Sequence, residues 1–285
     1  MQDQLINQVI NFMRESNLEL CYPDIVPTKI NEEGNQHHSH SFSIRMSENK
    51  IRGNEFLVRL LLFSALDALI DIKNPHLEGE SFRQRYLGLP NSTEREIVLR
   101  EVYRITKNIR NTMVHNLGKI SIVDAGYQIN YKKGKTIHSM TYGRKAITLL
   151  NTITIILIRN QNADDLYINN YITSYYQDLK SHILSFSDDI SSPLATIHPK
   201  VKIKTRRRYR VEVPENCWDS ETETYHIRRA SLADEETGSA SDEFMIKHED
   251  GISLIPGEVI NGNSFDKNLL KQWKLSPDNH FALGK

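Results

Sequence analysis

Apolar residues recur at intervals of three and four along most of the first 190 residues, which is the spacing of one buried helical face. This pattern predicts α-helices over residues 3–16, 57–72, about 94–115, 144–159 and 165–186. The segment 57–72 is apolar almost all round, and a helix of that composition is expected to be buried on every side. Helices therefore dominate the first two thirds of the predicted structure.

The periodicity changes over residues 119–141, where apolar and polar positions alternate. Ile120 and Ile122 fit one short strand, and Ile129 and Tyr131 fit a second. Glycines that favour turns separate the alternating runs. The segment therefore predicts a small β-meander of two or three strands, inserted between helices.

A stretch rich in serine, aspartate and proline over residues 187–199 is typical of a domain boundary. We therefore expect a mainly α-helical domain over residues 1–190, with its β insert at 119–141, and a small β-rich domain over 191–285. Within the second domain, the composition of residues 231–243 predicts a flexible loop. One short helix is expected near the C-terminus.

The composition suits a globular protein, because 25% of the 285 residues are charged and 39% are apolar. The formal net charge is zero, so any affinity for nucleic acid must come from local clusters of basic residues. Cys21 and Cys217 have no metal-ligand spacing and favour a reducing cytoplasm. The first 17 residues lack the pattern of a signal peptide, and the apolar runs are too short to cross a bilayer. We expect no membrane span, metal or cofactor.

Residues 110–115 read R-N-x-x-x-H and lie late in a predicted helix. A neutral imidazole such as that of His115 can take a proton from an RNA 2′-hydroxyl, and an imidazolium can return one to the leaving oxygen. The guanidinium of Arg110 can stabilise the charged phosphate between those steps. These two residue types can therefore cleave RNA without a metal ion. The alternative is a surface salt bridge for Arg110 and a favourable interaction of His115 with the helix dipole.

Helical geometry places this motif away from the protein core. The apolar stripe of the same helix consists of Val98, Val102, Ile105, Ile109 and Met113. A second, polar stripe consists of Arg104, Asn108, Asn111 and His115. At ~100° per residue, Arg110 and His115 lie ~140° apart and flank an arc nearly opposite the apolar stripe. The arc contains Asn111, Val114 and Lys107, which is a candidate supporting residue. One chain would leave the arc in water, whereas two copies related by a two-fold axis would bring both motifs into one cleft.

The motif and its surroundings resemble the HEPN superfamily. A buried helix that contains residues 63–71 is followed by a loop with Tyr86 and Leu87, and then by the helix that ends in residues 107–116. The hallmark of the superfamily is Arg, four to six residues and then His, often with Asn directly after the Arg; here the gap is four and the Asn is present. The likeness covers about residues 50–185 and treats the meander as an insertion.

The resemblance implies an α-helical bundle that forms a homodimer through the motif helix, with a composite, metal-independent endoribonuclease site. Arg110 and His115 would be the catalytic pair, and Asn111 would shape the site. An acidic residue on an earlier helix, Asp67 or Asp71, would orient one of the pair, and the sequence does not choose between them.

The resemblance also implies a biological setting. Proteins of this kind act as toxins or as bacterial antiviral effectors, so RNA and an antitoxin or defence-complex protein are the expected partners. Some members keep the fold without activity. A non-catalytic subunit that binds nucleic acid or a partner protein is therefore the alternative.

A second candidate for RNA binding is the basic segment over residues 200–210, which alternates with period two. In a strand, its basic side chains would share one face, namely Lys200, Lys202, Lys204, Arg206, Arg208 and Arg210. Such a row suits a phosphate backbone and would make binding depend on salt. The alternative is a solvated face that pairs with the following acidic residues, such as Glu212, Glu215 and Glu221.

Two other groups of residues have a structural interpretation. The histidines in residues 37–40 look like a metal tract but have no carboxylate or cysteine beside them, so we interpret them as part of a solvated loop. Tyr171, Tyr175 and Tyr176 could stack on bases, but we interpret them as helix-packing residues.

Overall fold

The computed structural model describes residues 2–30, 36–38, 55–114, 119–124, 126–205, 207–227, 240–249 and 251–283. The chain divides into two compact units that interleave along the sequence. Unit 1 comprises Met1–Leu20, Met46–Gln161 and Tyr175–His198, and unit 2 comprises Cys21–Arg45, Asn162–Ser174 and Pro199–Lys285. The sequence predicts one boundary near residue 190, whereas the chain passes between the units several times.

The regular elements alternate between helices and strands. The helices are α1 (Gln2–Glu15), α2 (Glu55–Lys73), α3 (Phe82–Gly88), α4 (Glu94–Val114), α5 (Arg144–Arg159), α6 (Leu166–Ser181), α7 (Lys267–Gln272) and α8 (His280–Leu283). The strands are β1 (Asp24–Ile30), β2 (Gln36–His38), β3 (Lys119–Val123), β4 (Gly126–Lys133), β5 (Thr136–Tyr142), β6 (Ile183–Ser187), β7 (Arg207–Glu212), β8 (Trp218–Asp219), β9 (Thr224–His226), β10 (Ala240–His248), β11 (Gly251–Pro256) and β12 (Ser264–Asp266).

The architecture mixes helices with three β-sheets of five, three and four strands among the described residues. The expected mainly α-helical bundle is therefore wrong. The polar stretch after α1, where no element was predicted, contributes β1 and β2 to the five-stranded sheet. The helix expected to reach residue 186 ends at Ser181, and the next residues form β6. Local hydrophobic spacing does not reveal strand partners that lie far away in the sequence.

The helix α2 is central to unit 1, because it contacts α1, α4 and α5. Leu62, Leu66 and Ile70 are almost inaccessible to solvent. Leu57 is exposed and Phe63 is partly exposed, so the prediction that this helix is buried on every side is wrong. The amphipathic helix α1 buries Ile6 and Met13 on its apolar face and packs against α2. The hydrophobic effect of this burial holds the helices of unit 1 together.

The predicted meander is confirmed as three antiparallel strands, β3, β4 and β5, and β6 extends the sheet to four strands. In the added pair, Phe186 lies opposite Met140. One face of the sheet carries the buried side chains of Ile129, Tyr131 and His138, and the sheet packs against α4. The meander therefore covers the motif helix of unit 1.

Unit 2 contains the five-stranded sheet, in which the strand order is β11-β10-β7-β1-β2. Strand β7 runs parallel to both β1 and β10, while the outer pairs β10–β11 and β1–β2 are antiparallel. The smaller sheet has the order β12-β9-β8. The helix α7 begins at a cap in which an Asp266 carboxylate oxygen accepts a hydrogen bond from the Leu269 N–H at 3.0 Å.

Three further predictions from the sequence concern these elements. Residues 231–239 of the expected flexible loop lie outside the described residues, and 240–243 begin strand β10. His37 and His38 lie in strand β2, and His40 lies outside the described residues. The three tyrosines of α6 are fully buried, which confirms their interpretation as packing residues, namely Tyr171, Tyr175 and Tyr176.

Candidate functional site

The motif helix α4 begins where its sequence provides a capping box. The Thr93 hydroxyl accepts a hydrogen bond from the Glu96 N–H at 3.2 Å, and the Glu96 carboxylate accepts bonds from the N–H groups of Ser92 and Thr93 at 2.9 Å. These contacts confirm the predicted start of the helix. The helix then places Arg110 and Asn111 in its last turns, and His115 lies outside the described residues.

The polar side of α4 is largely covered by the protein's own chain. Every residue from 101 to 109 is buried, and the exposed fraction of Lys107 is 2%. Asn111 is buried as well, whereas Arg110 is partly exposed and Val114 is exposed. The expectation that one chain leaves the whole arc in water is therefore wrong, because the sheet β3–β6 and the segment after it pack on this side.

Arg104, in the polar stripe, binds the segment that follows β6. Its Nε and Nη2 atoms donate to the two carboxylate oxygens of Asp188 at 2.8 and 2.6 Å, and Nη2 also donates to the Ser192 carbonyl at 2.7 Å. Burial raises the pKa of the nearby Glu101 carboxyl, which accepts a hydrogen bond from the Tyr86 hydroxyl at 2.7 Å. Arg104 is thus neutralised inside unit 1 and has a structural role.

Lys107, the candidate supporting residue, is also paired internally. Its Nζ lies 3.2 Å from Asp189 Oδ1 and 4.2 Å from the centroid of the Phe82 ring. Burial lowers the pKa of Lys107, although the Asp189 carboxylate opposes that shift. With 2% of its surface exposed, Lys107 does not reach RNA in this conformation.

His138 on β5 is a buried histidine that does not belong to the predicted site residues. It is 1% exposed, and its ring stacks on Tyr131 with 4.3 Å between centroids and 13° between planes. Neither ring nitrogen has a hydrogen-bond partner among the described residues. Burial, to which the Lys107 charge adds, lowers the pKa of His138 and favours its neutral form. Its alternation with Met140 on a predicted strand was the available signal that it faces inward.

A chain of hydrogen bonds connects the sheet to Arg110. The Tyr131 hydroxyl donates to Asn108 Oδ1 at 3.2 Å and accepts a bond from Asn111 Nδ2 at 3.4 Å. Asn111 Oδ1 accepts a bond from Arg110 Nη1 at 3.0 Å. The structure therefore brings two of the predicted site residues, Arg110 and Asn111, into contact. It joins to them Asn108 and Tyr131, which were not predicted as site residues.

Arg110 differs from the other arginines near α4 in its partners. Its guanidinium carbon lies 5.9 Å from the centroid of the Phe63 ring on α2, and Asn111 accepts its hydrogen bond. Within the described residues, no carboxylate pairs with Arg110, whereas Arg85 and Arg104 both bind carboxylates. A partly exposed guanidinium with N–H donors to spare is suited to bind an anion such as phosphate.

Asp67 and Asp71, the candidates for orienting the motif, are brought together by Arg85 instead. Both carboxylates form ion pairs with this arginine of α3, and Asp67 also accepts a hydrogen bond from the Tyr103 hydroxyl at 2.7 Å. The Tyr103 ring stacks on Phe63 with 5.7 Å between centroids. Asp67 therefore contacts Tyr103, whose ring stacks on the Phe63 ring that Arg110 contacts. Among the described residues, Asp67 does not pair with Arg110 itself.

The predicted row of six basic side chains on one strand face does not form. Strand β7 begins at Arg207, so Lys202 and Lys204 precede it as exposed residues, and Arg206 lies outside the described residues. Arg208 is fully buried, and Arg210 is only partly exposed. Lys200 also precedes the strand and is exposed, so the basic residues of this segment do not share one strand face.

Arg208 and Arg210 share the buried carboxylate of Glu243. Arg208 Nε donates to Oε2 at 2.8 Å, Arg210 Nε donates to Oε1 at 2.5 Å, and the Tyr167 hydroxyl donates to Oε2 at 2.8 Å. Arg208 also donates to both oxygens of Glu258 at 2.7 and 2.9 Å. These arginines are engaged inside unit 2, and their partners are not the neighbouring acidic residues that the alternative interpretation proposed.

Comparison with known proteins gives no family assignment. No protein-family model, curated protein or solved structure matches the chain. In the part of the chain that the structure describes, no helix is both long enough and apolar enough to cross a membrane. The same residues contain no group of three or more His, Cys, Asp or Glu side chains that could hold a metal ion.

Proposed function

We propose that this protein is a metal-independent endoribonuclease whose site is formed by Arg110, Asn111 and His115. The proposal rests on the exposure and the partners of the Arg110 side chain. Its partly exposed guanidinium is held by Asn111 and by the Phe63 ring, and no carboxylate of the described residues neutralises it. Such a group favours binding of a phosphate, and the R-N-x-x-x-H motif adds a histidine that can transfer protons.

In the proposed reaction, the 2′-oxygen of RNA attacks the adjacent phosphorus, and the bond from phosphorus to the 5′-oxygen breaks. His115 acts as general base or general acid in the transfer of the proton. Arg110 donates hydrogen bonds to the phosphate oxygens, on which negative charge increases in the transition state. The products carry a 2′,3′-cyclic phosphate and a 5′-hydroxyl. DNA lacks the 2′-hydroxyl and is not a substrate.

A second copy of the chain would complete this site, because one chain supplies a single copy of the motif. Exposed apolar residues near the motif support a homodimer. Val114 ends α4, and Ile120 and Ile122 lie on the edge strand β3, where Ile122 has 80% of its surface exposed. Apolar side chains on an exposed strand edge are typical of an interaction surface.

The proposed activity implies a biological setting as well. An RNA-cleaving dimer of this kind would act in the cytoplasm as a toxin or as an antiphage effector. Its activity would then require control by an antitoxin or by another protein of a defence complex.

A second candidate function is a non-catalytic subunit that binds RNA or a partner protein. The burial of Lys107 and Asn111 favours this candidate, because both side chains form contacts within unit 1. Under this hypothesis Arg110 binds a phosphate or an acidic partner without promoting cleavage.

Cleavage of a 5′-labelled single-stranded RNA of mixed sequence, in the presence of EDTA, tests the proposal. We expect the parent protein to cut this RNA and to spare DNA of the same sequence. Arg110→Ala and His115→Ala should each slow cleavage by about a hundredfold or more, which is typical of losing a general acid–base group or a transition-state donor. Arg14→Ala removes the same charge from an exposed position on α1 and should retain parent activity.

The product ends and the variants separate the two candidate functions. Parent-like cleavage by His115→Ala would refute the proposed mechanism. RNA binding that depends on Arg110, with no cleavage by the parent protein, would refute the nuclease and support the non-catalytic subunit. Products with 3′-hydroxyl ends would exclude attack by the 2′-oxygen.

A further inference from the structure

We propose that Tyr131, on strand β4, is a positioning residue for Arg110 and acts on it through Asn111. The inference rests on the proposed ribonuclease function. It gives the β-sheet over α4 a part in the same site, although the R-N-x-x-x-H motif contains none of its residues.

The hydrogen bonds among Arg110, Asn111 and Tyr131 fix which atom of each side chain donates and which accepts. Because a guanidinium can only donate, Asn111 must turn its Oδ1 towards Arg110. The Nδ2 of the same amide then points to the Tyr131 oxygen, 3.4 Å away. The Tyr131 proton is directed to Asn108 Oδ1, 3.2 Å away. If the Asn111 amide were reversed, two donors would face each other at Arg110.

The middle of this chain is buried and well fixed. Tyr131, Asn108 and Asn111 are all buried, so water does not compete freely for their hydrogen bonds. The His138 ring stacks on the Tyr131 ring and limits its movement. Burial raises the pKa of Tyr131 far above its usual value, so the hydroxyl keeps its proton. Tyr131 can therefore hold the plane of the Asn111 amide.

Arg110 is held from two directions as a result. Asn111 contacts it from α4, and the Phe63 ring contacts it from α2. These contacts restrict rotation of the guanidinium, so its other N–H groups keep one orientation. Donors fixed in advance stabilise transition-state charge without having to reorganise. Loss of the Tyr131 hydroxyl should loosen Asn111 and then Arg110, while leaving both residues in place.

The variant Tyr131→Phe, with Tyr127→Phe as a matched control, tests this inference. Tyr127 lies four residues earlier on β4 and on the same face, where it stacks on Tyr142. Each variant therefore loses one hydroxyl from the same side of the sheet. The first measurement is NMR of the Arg110 side chain, in which guanidinium rotation and Nε–H exchange report how firmly the group is held. We expect both rates to rise about fivefold in Tyr131→Phe, a factor that matches one hydrogen bond, and to stay at parent values in Tyr127→Phe.

The second measurement is the steady-state kinetics of cleavage of the mixed-sequence RNA. We expect kcat to fall about tenfold in Tyr131→Phe while KM stays unchanged, since the buried Tyr131 does not touch the substrate and affects only the orientation of Arg110. Tyr127→Phe should keep both parameters at parent values.

The two measurements separate failure of this inference from failure of the proposed function. Parent-like Arg110 exchange and parent-like kcat in Tyr131→Phe would overturn the inference, even if the variant melts at a lower temperature, because a purely structural role changes stability alone. Parent-like cleavage by Arg110→Ala, or no cleavage by the parent protein, would overturn the ribonuclease. In that case the NMR measurement alone decides whether Tyr131 positions Arg110.

Discussion

The substitution Glu243→Gln removes one buried negative charge and leaves the volume of the side chain nearly unchanged. Glu243 is fully buried, and its two oxygens accept hydrogen bonds from Arg208, Arg210 and Tyr167. A glutamine can accept on one side only, because its other terminal group is an NH2 donor. At least one of the three donors would then face another donor inside unit 2.

The free energy of unfolding should fall by about 3 kcal/mol, at the lower end of the ~3–5 kcal/mol that removal of one partner of a buried ion pair usually costs. The lower end is expected because Arg208 keeps its two hydrogen bonds to Glu258 at 2.7 and 2.9 Å. Arg210 keeps a bond to the Ala282 carbonyl at 2.8 Å. The remaining loss arises because Arg208 and Arg210 no longer have the negative charge of Glu243 between them.

Urea unfolding followed by tryptophan fluorescence measures this loss, because both tryptophans of the chain, Trp218 and Trp273, belong to unit 2. Glu223→Gln is the matched control. Glu223 pairs with Lys267 at 2.9 Å on the surface, where such a pair contributes only ~0–1 kcal/mol. A loss below about 1 kcal/mol in Glu243→Gln would refute the reasoning that buried charge, and not packing alone, holds these strands together.

The same network should make unit 2 sensitive to acid. Burial acts to raise the pKa of Glu243 and of Glu258, but the neighbouring arginines outweigh it and hold both pKa values below the usual range. A carboxylate whose pKa is lowered in the folded state contributes stability above its unfolded-state pKa of ~4.3 and loses it as pH falls through the folded-state value. The stability difference between parent and Glu243→Gln should therefore be constant from pH 7 to pH 5 and shrink at lower pH. A difference that does not shrink in acid would contradict this assignment.

Two further predictions concern unit 1. Burial lowers the pKa of His138. The stability that the neutral imidazole contributes is therefore present above the unfolded-state pKa of ~6.5 and is lost as pH falls through the folded-state value. We expect opening of β4 and β5, measured by hydrogen exchange, to increase in acid. His138→Phe retains an aromatic ring beside Tyr131 and should weaken this pH dependence; an unchanged dependence would assign it to another group. Ile122→Asp should abolish the proposed homodimer in analytical ultracentrifugation, whereas Ile137→Asp, on the opposite face of the sheet, should not. A dimer that persists in Ile122→Asp would rule out an interface at β3.

Local signals in the sequence were sufficient to predict the start of α4 and the meander. The prediction that this helix begins at about residue 94 is confirmed, and Thr93 and Glu96 form the capping contacts there. Alternating apolar positions and glycine turns correctly indicated β3, β4 and β5. These signals depend on residues that are neighbours in sequence, which is why they were reliable.

The remaining features depend on partners that are distant in sequence. Helical phase placed Lys107 and Asn111 opposite the apolar stripe, but it gave no sign that Asp189 and Tyr131 would cover them. Of the candidate site, Arg110 and Asn111 lie within the described residues and contact each other, while the roles of Arg110, Asn111 and His115 stay predictions.

The prediction that the basic side chains of residues 200–210 share one exposed strand face is wrong for a similar reason. Its period of two put Arg208 and Arg210 on one face, yet both bind Glu243, which follows them by 35 and 33 positions. An alternating charge pattern does not distinguish a solvated face from a buried ion-pair network, because the pattern does not contain the partner.

The place of β1 between β7 and β2 affects how the protein can be made. Asp24 pairs with Arg207, and 183 positions separate these residues along the chain. At about 5–20 residues per second, the ribosome needs roughly 10–40 s after completing β1 to synthesise the strand beside which it lies. Throughout that interval an extended segment with unsatisfied backbone groups is open to wrong pairing. Unit 2 can therefore assemble its sheet only late in translation, and a chaperone that shields β1 should increase the yield of native protein.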